Sequence, residues 1–262
     1  MELKISERSA PVVCKSCVTS TNTILKGLVP SGLPAGFVLA AEKQTSGRGR
    51  LGRSFESPEG GLYLSMLLYP QCRPEETATL TPCAAVAVSR ALEKVCGLTP
   101  EIKWPNDLQS NGKKLCGILT ESSVFCGRRY VIIGLGLNVN TDISALPPEV
   151  SELATSVFCE TGERTDMETL AAQIIRELDA MVEHWTEDKG YCLAEYRERC
   201  SSIGCDIYLI RGEEKIEAHA LDVDGSFALI VEQSGEKKRI DFGEISVRKI
   251  SAFPSGEAKE IR

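Results

Sequence analysis

The stretch Gly47-Arg-Gly-Arg-Leu-Gly52 lies between two apolar runs, and the residues on its C-terminal side limit the fold more than any other feature of the chain. Its Gly-x-Gly-x-x-Gly spacing is that of a dinucleotide loop, which needs a helix directly afterwards so that the helix N-terminus receives the pyrophosphate. Here the continuation is Ser57-Pro58-Glu59-Gly60-Gly61, and a proline followed by paired glycines forbids that helix. The run Leu62 to Tyr69 beyond it reads as a buried strand. So does the run from Leu33 to Glu42 before it, which is entered through Pro and Gly. The loop joins strand to strand, and a nicotinamide-binding reading fails on that context.

The remaining pattern extends the same theme. From Glu76 to Val95 an Ala-rich, Leu- and Val-studded stretch predicts a long buried helix, with Pro82 near its start or marking a break. Residues 100–123 read as paired strands turned by Asn111-Gly112, and Arg128 to Asn140 as another buried strand. Thr165-x-x-Glu168 reads as a capping box ahead of a helical stripe of Leu170, Ile174, Leu178, Val182 and Trp185. Beyond Ser201 short alternating segments between Gly turns predict a small β-barrel. The expectation is an α+β chain: a mixed β-sheet domain with helices packed on it over 1–200, and a small β-barrel domain over 201–262.

Several function classes are excluded early. The first thirty residues hold no apolar core long enough for a signal peptide, and no later run approaches a spanning helix, so a cytoplasmic protein without a membrane partner is expected. The net charge of −7 opposes a nucleic-acid surface. An RNA-binding Arg-Gly box would also repeat in low-complexity sequence, whereas this hexapeptide stands alone. The eleven cysteines are scattered through apolar stretches and read as reduced; Cys14-x-x-Cys17 has no second pair at zinc-ribbon spacing. His184 and His219 have no catalytic or metal-ligand grouping near them in sequence, so neither His chemistry nor a protein-held metal is expected.

Polar and cationic groups gather where the apolar strands end: Ser20-Thr21-Asn22, Gln44, Arg48, Arg50, Arg53, Lys103-Trp104-Pro105-Asn106-Asp107, Lys113-Lys114 and Asn138. Converging at one edge of a sheet, they would line a ligand pocket. Cations in a glycine-rich loop suit a polyanion, because glycine lets backbone approach and guanidinium forks chelate phosphate. Phe55, Tyr63 and Trp185 read as core.

Taken in order, Ser20-Thr-Asn-Thr, Ala41-Glu-Lys-Gln-Thr-Ser-Gly-Arg-Gly-Arg-Leu-Gly-Arg53, Lys103-Trp-Pro-Asn-Asp-Leu, Gly112-Lys-Lys-Leu-Cys-Gly-Ile-Leu, Ile132-Ile-Gly-Leu-Gly-Leu-Asn-Val-Asn and Gly243-Glu-Ile-Ser-Val-Arg248 resemble the motifs of bacterial biotin protein ligases. The resemblance spans about Ser20 to Arg248. It implies a barrel of the SH3-like kind and a two-step reaction: biotin and ATP, carried with Mg²⁺, give biotinyl-5′-adenylate, and the acyl group then passes to a lysine of a biotin carboxyl carrier protein. It implies biotin contacts at Ser20, Thr21, Asn22, Gln44, Arg48, Gly49, Arg50 and Lys114, with Lys114, Arg48 and Arg50 as catalytic groups. Arg53, Lys103, Trp104, Asn106, Asn138 and Arg248 would lie toward the nucleotide. Phe55 stands where some members carry Trp. Nineteen residues precede Ser20, too few for the winged helix-turn-helix of the repressor members, so a ligase without repressor function and without a nucleic-acid partner is expected. A lipoate or octanoyl ligase of the same fold and a non-catalytic biotin-sensing module are the alternatives. A homodimer built by sheet extension near Ile132 to Asn140 is a further expectation, for a strand there at an edge.

Overall fold

The computed structural model describes residues 5, 8–241 and 246–250. Residues 243–245 of the closing motif and 251–262 of the expected barrel domain lie outside the described residues. The main sheet has seven strands: β1 (Val12–Val18), β2 (Val38–Gln44), β3 (Gly61–Leu68), β4 (Glu101–Lys103), β5 (Asp107–Ser110), β6 (Lys113–Phe125) and β7 (Arg128–Asn138), in the order β1-β2-β3-β7-β6-β5-β4. Only β1 and β2 pair in parallel, so the sheet is mixed.

Every residue of β3 is buried because both faces of the sheet are covered, which is why its sequence reads as a continuous apolar run. Leu62, Leu64, Met66 and Leu68 share a core with α2 (Leu80–Cys96) and α5 (Met167–Glu187), while Leu67 packs with Leu39, Ile132 and Leu25 of α1 (Thr21–Leu28) on the other face. Ser65, at 0% exposure, is the polar exception on the α1 side. Pro82 sits in the first turn of α2, where its missing N–H leaves no intrahelical bond unmade. The helix stops at Gly97, whose left-handed φ of 63° suits a glycine C-cap.

Two expectations are corrected. The N-cap of α5 is Asp166, whose carboxylate accepts from the Thr169 N–H at 2.7 Å. Thr165 instead exchanges two bonds with the Asn140 amide, at 3.0 and 2.9 Å, which spends its backbone on the loop and not on the helix. The strand containing Ile132 to Asn138 is not an edge but the centre of the sheet, with β3 on one side and β6 on the other along its length. Its backbone is therefore already paired, and sheet extension has no free edge there.

The β5–β6 turn is Asn111-Gly112, both with positive φ (51° and 75°), the geometry that matches the twist of a two-residue hairpin. Short helices α3 (Pro148–Ser151) and α4 (Val157–Thr161) lie between β7 and α5, and α6 (Leu193–Arg199) comes after it. A second sheet, antiparallel, has the order β11-β10-β9-β8-β12 from β8 (Asp206–Arg211), β9 (Glu214–Val223), β10 (Leu229–Gln233), β11 (Glu236–Ile240) and β12 (Ser246–Lys249). Its Ile207 and Val223, with Phe227 of the β9–β10 turn, belong to the same apolar core as Trp104 of the β4–β5 connection and Tyr196 of α6, so the second sheet docks on the first through that connection and that helix. Among the described residues no helix is long and apolar enough to cross a membrane.

Trp104 ties the β4–β5 connection to the β9–β10 turn: its indole Nε1–H donates to the Phe227 carbonyl at 2.9 Å inside that core. Trp104→Phe keeps most of the ring but orphans a buried carbonyl. It is expected to cost about 1–3 kcal/mol in urea unfolding of the full chain, a loss that Tyr69→Phe at the partly exposed Leu33 carbonyl should not match.

Candidate active site

A cleft of about 220 Å³ opens where α1, the Gly47–Gly52 loop, the β4–β5 connection, β6, β7 and the second sheet meet. Its floor is made of glycines. Gly117 of β6 and Gly134 and Gly136 of β7 line it, and a Cβ on Gly134 would stand 2.0 Å from Asn22 Oδ1, one on Gly136 2.5 Å from the Phe55 ring. Only a glycine lets the helix start and the aromatic ring come down onto the sheet.

One end of the cleft is a neutral hydrogen-bonding network. Ser20 caps α1, its Oγ accepting from Thr23 N–H at 3.4 Å. The Thr21 N–H and hydroxyl both donate to Gln44 Oε1, at 2.8 and 3.2 Å, while Gln44 Nε2 donates to Ser57 Oγ at 3.0 Å. Ser65 Oγ stands 2.5 Å from Asn22 Oδ1 and 2.7 Å from Thr21 Oγ1. Asn22 Nδ2 donates to Glu121 Oε2 at 2.9 Å, and the other carboxylate oxygen of Glu121 lies 3.7 Å from Arg48. Ser20, Thr21, Asn22, Ser57 and Ser65 are buried and Gln44 and Glu121 half-buried, so the network is in place before any ligand arrives.

The other end is cationic. The loop folds as a tight hairpin: Arg48 pairs with Ser54, Gly49 N–H donates to Arg53 O at 2.8 Å, and Phe55 N–H donates to Gly47 O at 3.0 Å. Arg50 reaches back to Asn106 Oδ1 at 3.1 Å, and Asn106 Nδ2 in turn donates to Ile118 O at 2.8 Å. Burial pulls the Arg50 guanidinium below its ordinary range, with Asp107 acting in the opposite sense. Burial does the same to the Lys103 ammonium; Asp107 opposes the shift, and Lys114, Arg248 and Arg53 add to it. Lys114 Nζ stands 2.8 Å from Asp107 Oδ1 as an ion contact and 5.4 Å from the centre of the Phe55 ring. A cation cluster in which Arg50 and Lys103 are desolvated, with one carboxylate on its wall among the described residues, is complementary to a multivalent anion.

The structure brings Ser20, Thr21, Asn22, Gln44, Arg48, Gly49, Arg50, Arg53, Lys103, Trp104, Asn106, Lys114 and Arg248 onto the wall of this one cleft. Asn138 is not on it: it is buried and donates its Nδ2 to the Thr155 carbonyl at 3.0 Å. Phe55, read as core, is instead half-buried on the cleft wall, because the glycines opposite leave room for its ring. Tyr63 and Trp185 are core. Asp107, expected among the pocket-lining groups, is on the wall too; sequence reasoning assigned no role to Glu121, Ser57 or Ser65, and only Ser65 left a signal, as the polar break in an apolar strand. Among the described residues no group of three or more His, Cys, Asp or Glu side chains could hold a metal ion.

Residues 14–138 match the profile of the biotin/lipoate A/B protein ligase family. The bifunctional ligase/repressor BirA of Bacillus spizizenii is 40% identical over 63% of this chain and 51% of its own length. The chain thus spans about half the length of the first curated relatives it matches. The biotin–[acetyl-CoA-carboxylase] ligase of Mycobacterium tuberculosis is 30% identical over 86% of this chain and 85% of that protein. Among solved structures, a biotin protein ligase from Aquifex aeolicus in complex with biotin and ATP superposes with a TM-score of 0.79 at 28% identity, covering 91% of this chain and 98% of that one.

Lys103, like Arg50, carries part of the stability cost of the cation cluster. Its folded pKa is lowered, so the folded chain holds that proton less tightly than the unfolded chain; the penalty is full at pH below the folded value and fades as pH rises into the ordinary lysine range. Lys103→Met is expected to raise the urea midpoint at pH 7, with the gain narrowing at alkaline pH, while weakening inorganic pyrophosphate binding by roughly tenfold for one lost charged contact. Calorimetry and unfolding curves across pH check both.

Proposed function

The chain belongs to the biotin/lipoate A/B protein ligase family, and from that premise we propose that it activates biotin with ATP and transfers the biotinyl group to a lysine of a biotin carboxyl carrier protein. The observation that carries this reading is the pairing, on the wall of one cleft, of a preformed hydrogen-bonding end at Ser20, Thr21, Asn22 and Gln44 with a cationic end that includes Lys114. A cyclic urea has two N–H donors and one carbonyl that must all be paired once buried. The network of Thr21, Asn22, Gln44 and Ser65 supports such a ring at that end.

In the first step a biotin carboxylate oxygen bonds to the α-phosphorus of ATP as the bond to pyrophosphate breaks. Two anions must approach, so the barrier is electrostatic before it is chemical. Lys114 pairs with the carboxylate beforehand and with the α-phosphate as charge moves; Arg50 and Arg48 close over the product from the loop. Lys103, Arg53 and Arg248 take the β- and γ-phosphates, and Trp104 and Asn106 lie toward the nucleoside. Mg²⁺ carried with ATP would screen the phosphates; among the described residues the cleft wall has one carboxylate that would face it, Asp107, already 2.8 Å from Lys114. In the second step the carrier's lysine amine bonds to the acyl carbon, AMP leaves, and the amine loses its proton. The chain's net charge of −7 supports a protein acceptor over nucleic acid as its macromolecular partner.

Lipoate and octanoate lack a ureido group, so placing them beside Ser20, Thr21, Asn22 and Gln44 gains no hydrogen bonds from those polar wall residues. A silent sensor would have no use for the Lys114–Asp107 contact.

Radiolabelled pyrophosphate should exchange into ATP with biotin and Mg²⁺ present, and not with lipoate or octanoate in its place; exchange with lipoate as fast as with biotin contradicts the reading. In the same assay Lys114→Met should slow adenylate formation about 10²–10³-fold, the scale of losing one preorganised donor, while calorimetry still detects biotin. Near-normal formation would make Lys114 an ordinary strand lysine.

A further inference from the structure

Lys114 is held from behind by contacts that take no part in the cleft. β7 pairs with β6 only from Cys116 onward. At Lys114 its place is taken by residues 153–155: the Lys114 N–H donates to the Leu153 carbonyl at 2.7 Å, and the Thr155 N–H donates to the Lys114 carbonyl at 2.9 Å. On the other side Lys114 faces Gln109, one residue past an irregularity in the β5–β6 register. Neither neighbour is a long regular strand, so the backbone at Lys114 needs another restraint.

Glu160 of α4 supplies it. Its Oε2 accepts from the Ser110 hydroxyl at 2.6 Å and from Asn111 Nδ2 at 2.7 Å, which are the last residue of β5 and the first of the turn. Its Oε1 accepts from the Thr155 hydroxyl at 2.5 Å. One carboxylate thus joins the hairpin turn in front of Lys114 to the segment beside it, across some fifty residues of sequence, through three charge-assisted bonds. Burial pushes the Glu160 carboxyl up, but those three bonds outweigh it and hold it below the ordinary range, so it stays ionised. Glu160 is not on the cleft wall, and its bonds go to Ser110, Asn111 and Thr155 and not to the Lys114 side chain.

We propose that Glu160 is a positioning residue for Lys114: by clamping the Ser110-Asn111 turn to Thr155 it fixes the strand start from which the Lys114 ammonium is aimed between Asp107 and Phe55. This rests on the reading that Lys114 serves adenylate formation. A lysine side chain has enough freedom to find Asp107 from a slack backbone, but not to stay there, and misplacement by about 1 Å costs up to ~10² in rate when the group acts by position.

Glu160→Ala and Glu160→Gln are to be compared with the parent chain in single-turnover formation of biotinyl-adenylate, in biotin calorimetry, and in transfer from chemically supplied biotinyl-adenylate. Glu160→Ala should slow adenylate formation by about tenfold or more, with biotin affinity and transfer within about twofold of the parent. Glu160→Gln, which keeps one acceptor oxygen and the shape, should recover most of the rate. In a Lys114→Met background Glu160→Ala should have no further effect, since a group acting only through Lys114 is not additive with its loss. Equal slowing in both backgrounds, or biotin affinity falling as steeply as the rate, overturns the proposal. If Glu160→Ala does not fold, Thr155→Val removes one of the three bonds and should give the same pattern at smaller amplitude; a normal rate in that variant overturns it equally. A parent chain without biotin-dependent pyrophosphate exchange is a separate result, which defeats the underlying reading and this inference with it.

Discussion

Six cationic side chains, Arg48, Arg50, Arg53, Lys103, Lys114 and Arg248, share one cleft with a single carboxylate on its wall, among the described residues. Like charges this close repel, and burial adds a desolvation cost, as the lowered pKa values of Arg50 and Lys103 record. Much of the surrounding structure serves to hold them there. The loop arginines are carried on a hairpin closed by Gly49, Arg53 and Phe55 backbone bonds. Lys103 and Asp107 come from adjacent short strands, Lys114 from a strand start clamped on both sides, and Arg248 from the second sheet, which is docked through Trp104 and Phe227.

The neutral end of the cleft is built on the opposite logic. Thr21, Asn22, Gln44, Ser57 and Ser65 satisfy one another, so no charge is stranded and the network can be buried without a ligand. Glu121 couples the ends, bonding Asn22 and facing Arg48. A small organic acid with a polar ring fits such a cleft in one orientation, its ring among the amides and its carboxylate toward the cations.

Much of this was legible in the sequence for a physical reason: strands covered on both faces leave unbroken apolar runs, and the side chains that end them must serve something other than the core. Asn111-Gly112 announced its hairpin because few other pairs tolerate two positive φ values. What stayed hidden depends on partners far along the chain. Hydrophobicity records burial and not hydrogen-bond neighbours, so β7 could pass for an edge while lying at the centre. Thr165 and Asp166 are both competent caps, and only the Asn140 amide decides between them. Phe55 is apolar whether it faces core or cleft; the choice is made by Gly117 and Gly136 opposite. Asn138 sits at a strand end like the cleft residues, yet its amide is taken by Thr155. Glu160 belongs to no pattern at all, since two of its three partners, Ser110 and Asn111, lie about fifty residues away.

A crystal structure of the chain with a non-hydrolysable biotinyl-adenylate analogue tests most directly whether one cleft holds both reacting anions around Lys114. The expected result is the bicyclic ring against Thr21, Asn22 and Gln44, with the group replacing the α-phosphate within about 3.5 Å of Lys114 Nζ and Arg50 folded over it. An analogue bound with its ring among Lys103 and Arg248, or with its phosphate substitute out of reach of Lys114, would contradict that arrangement.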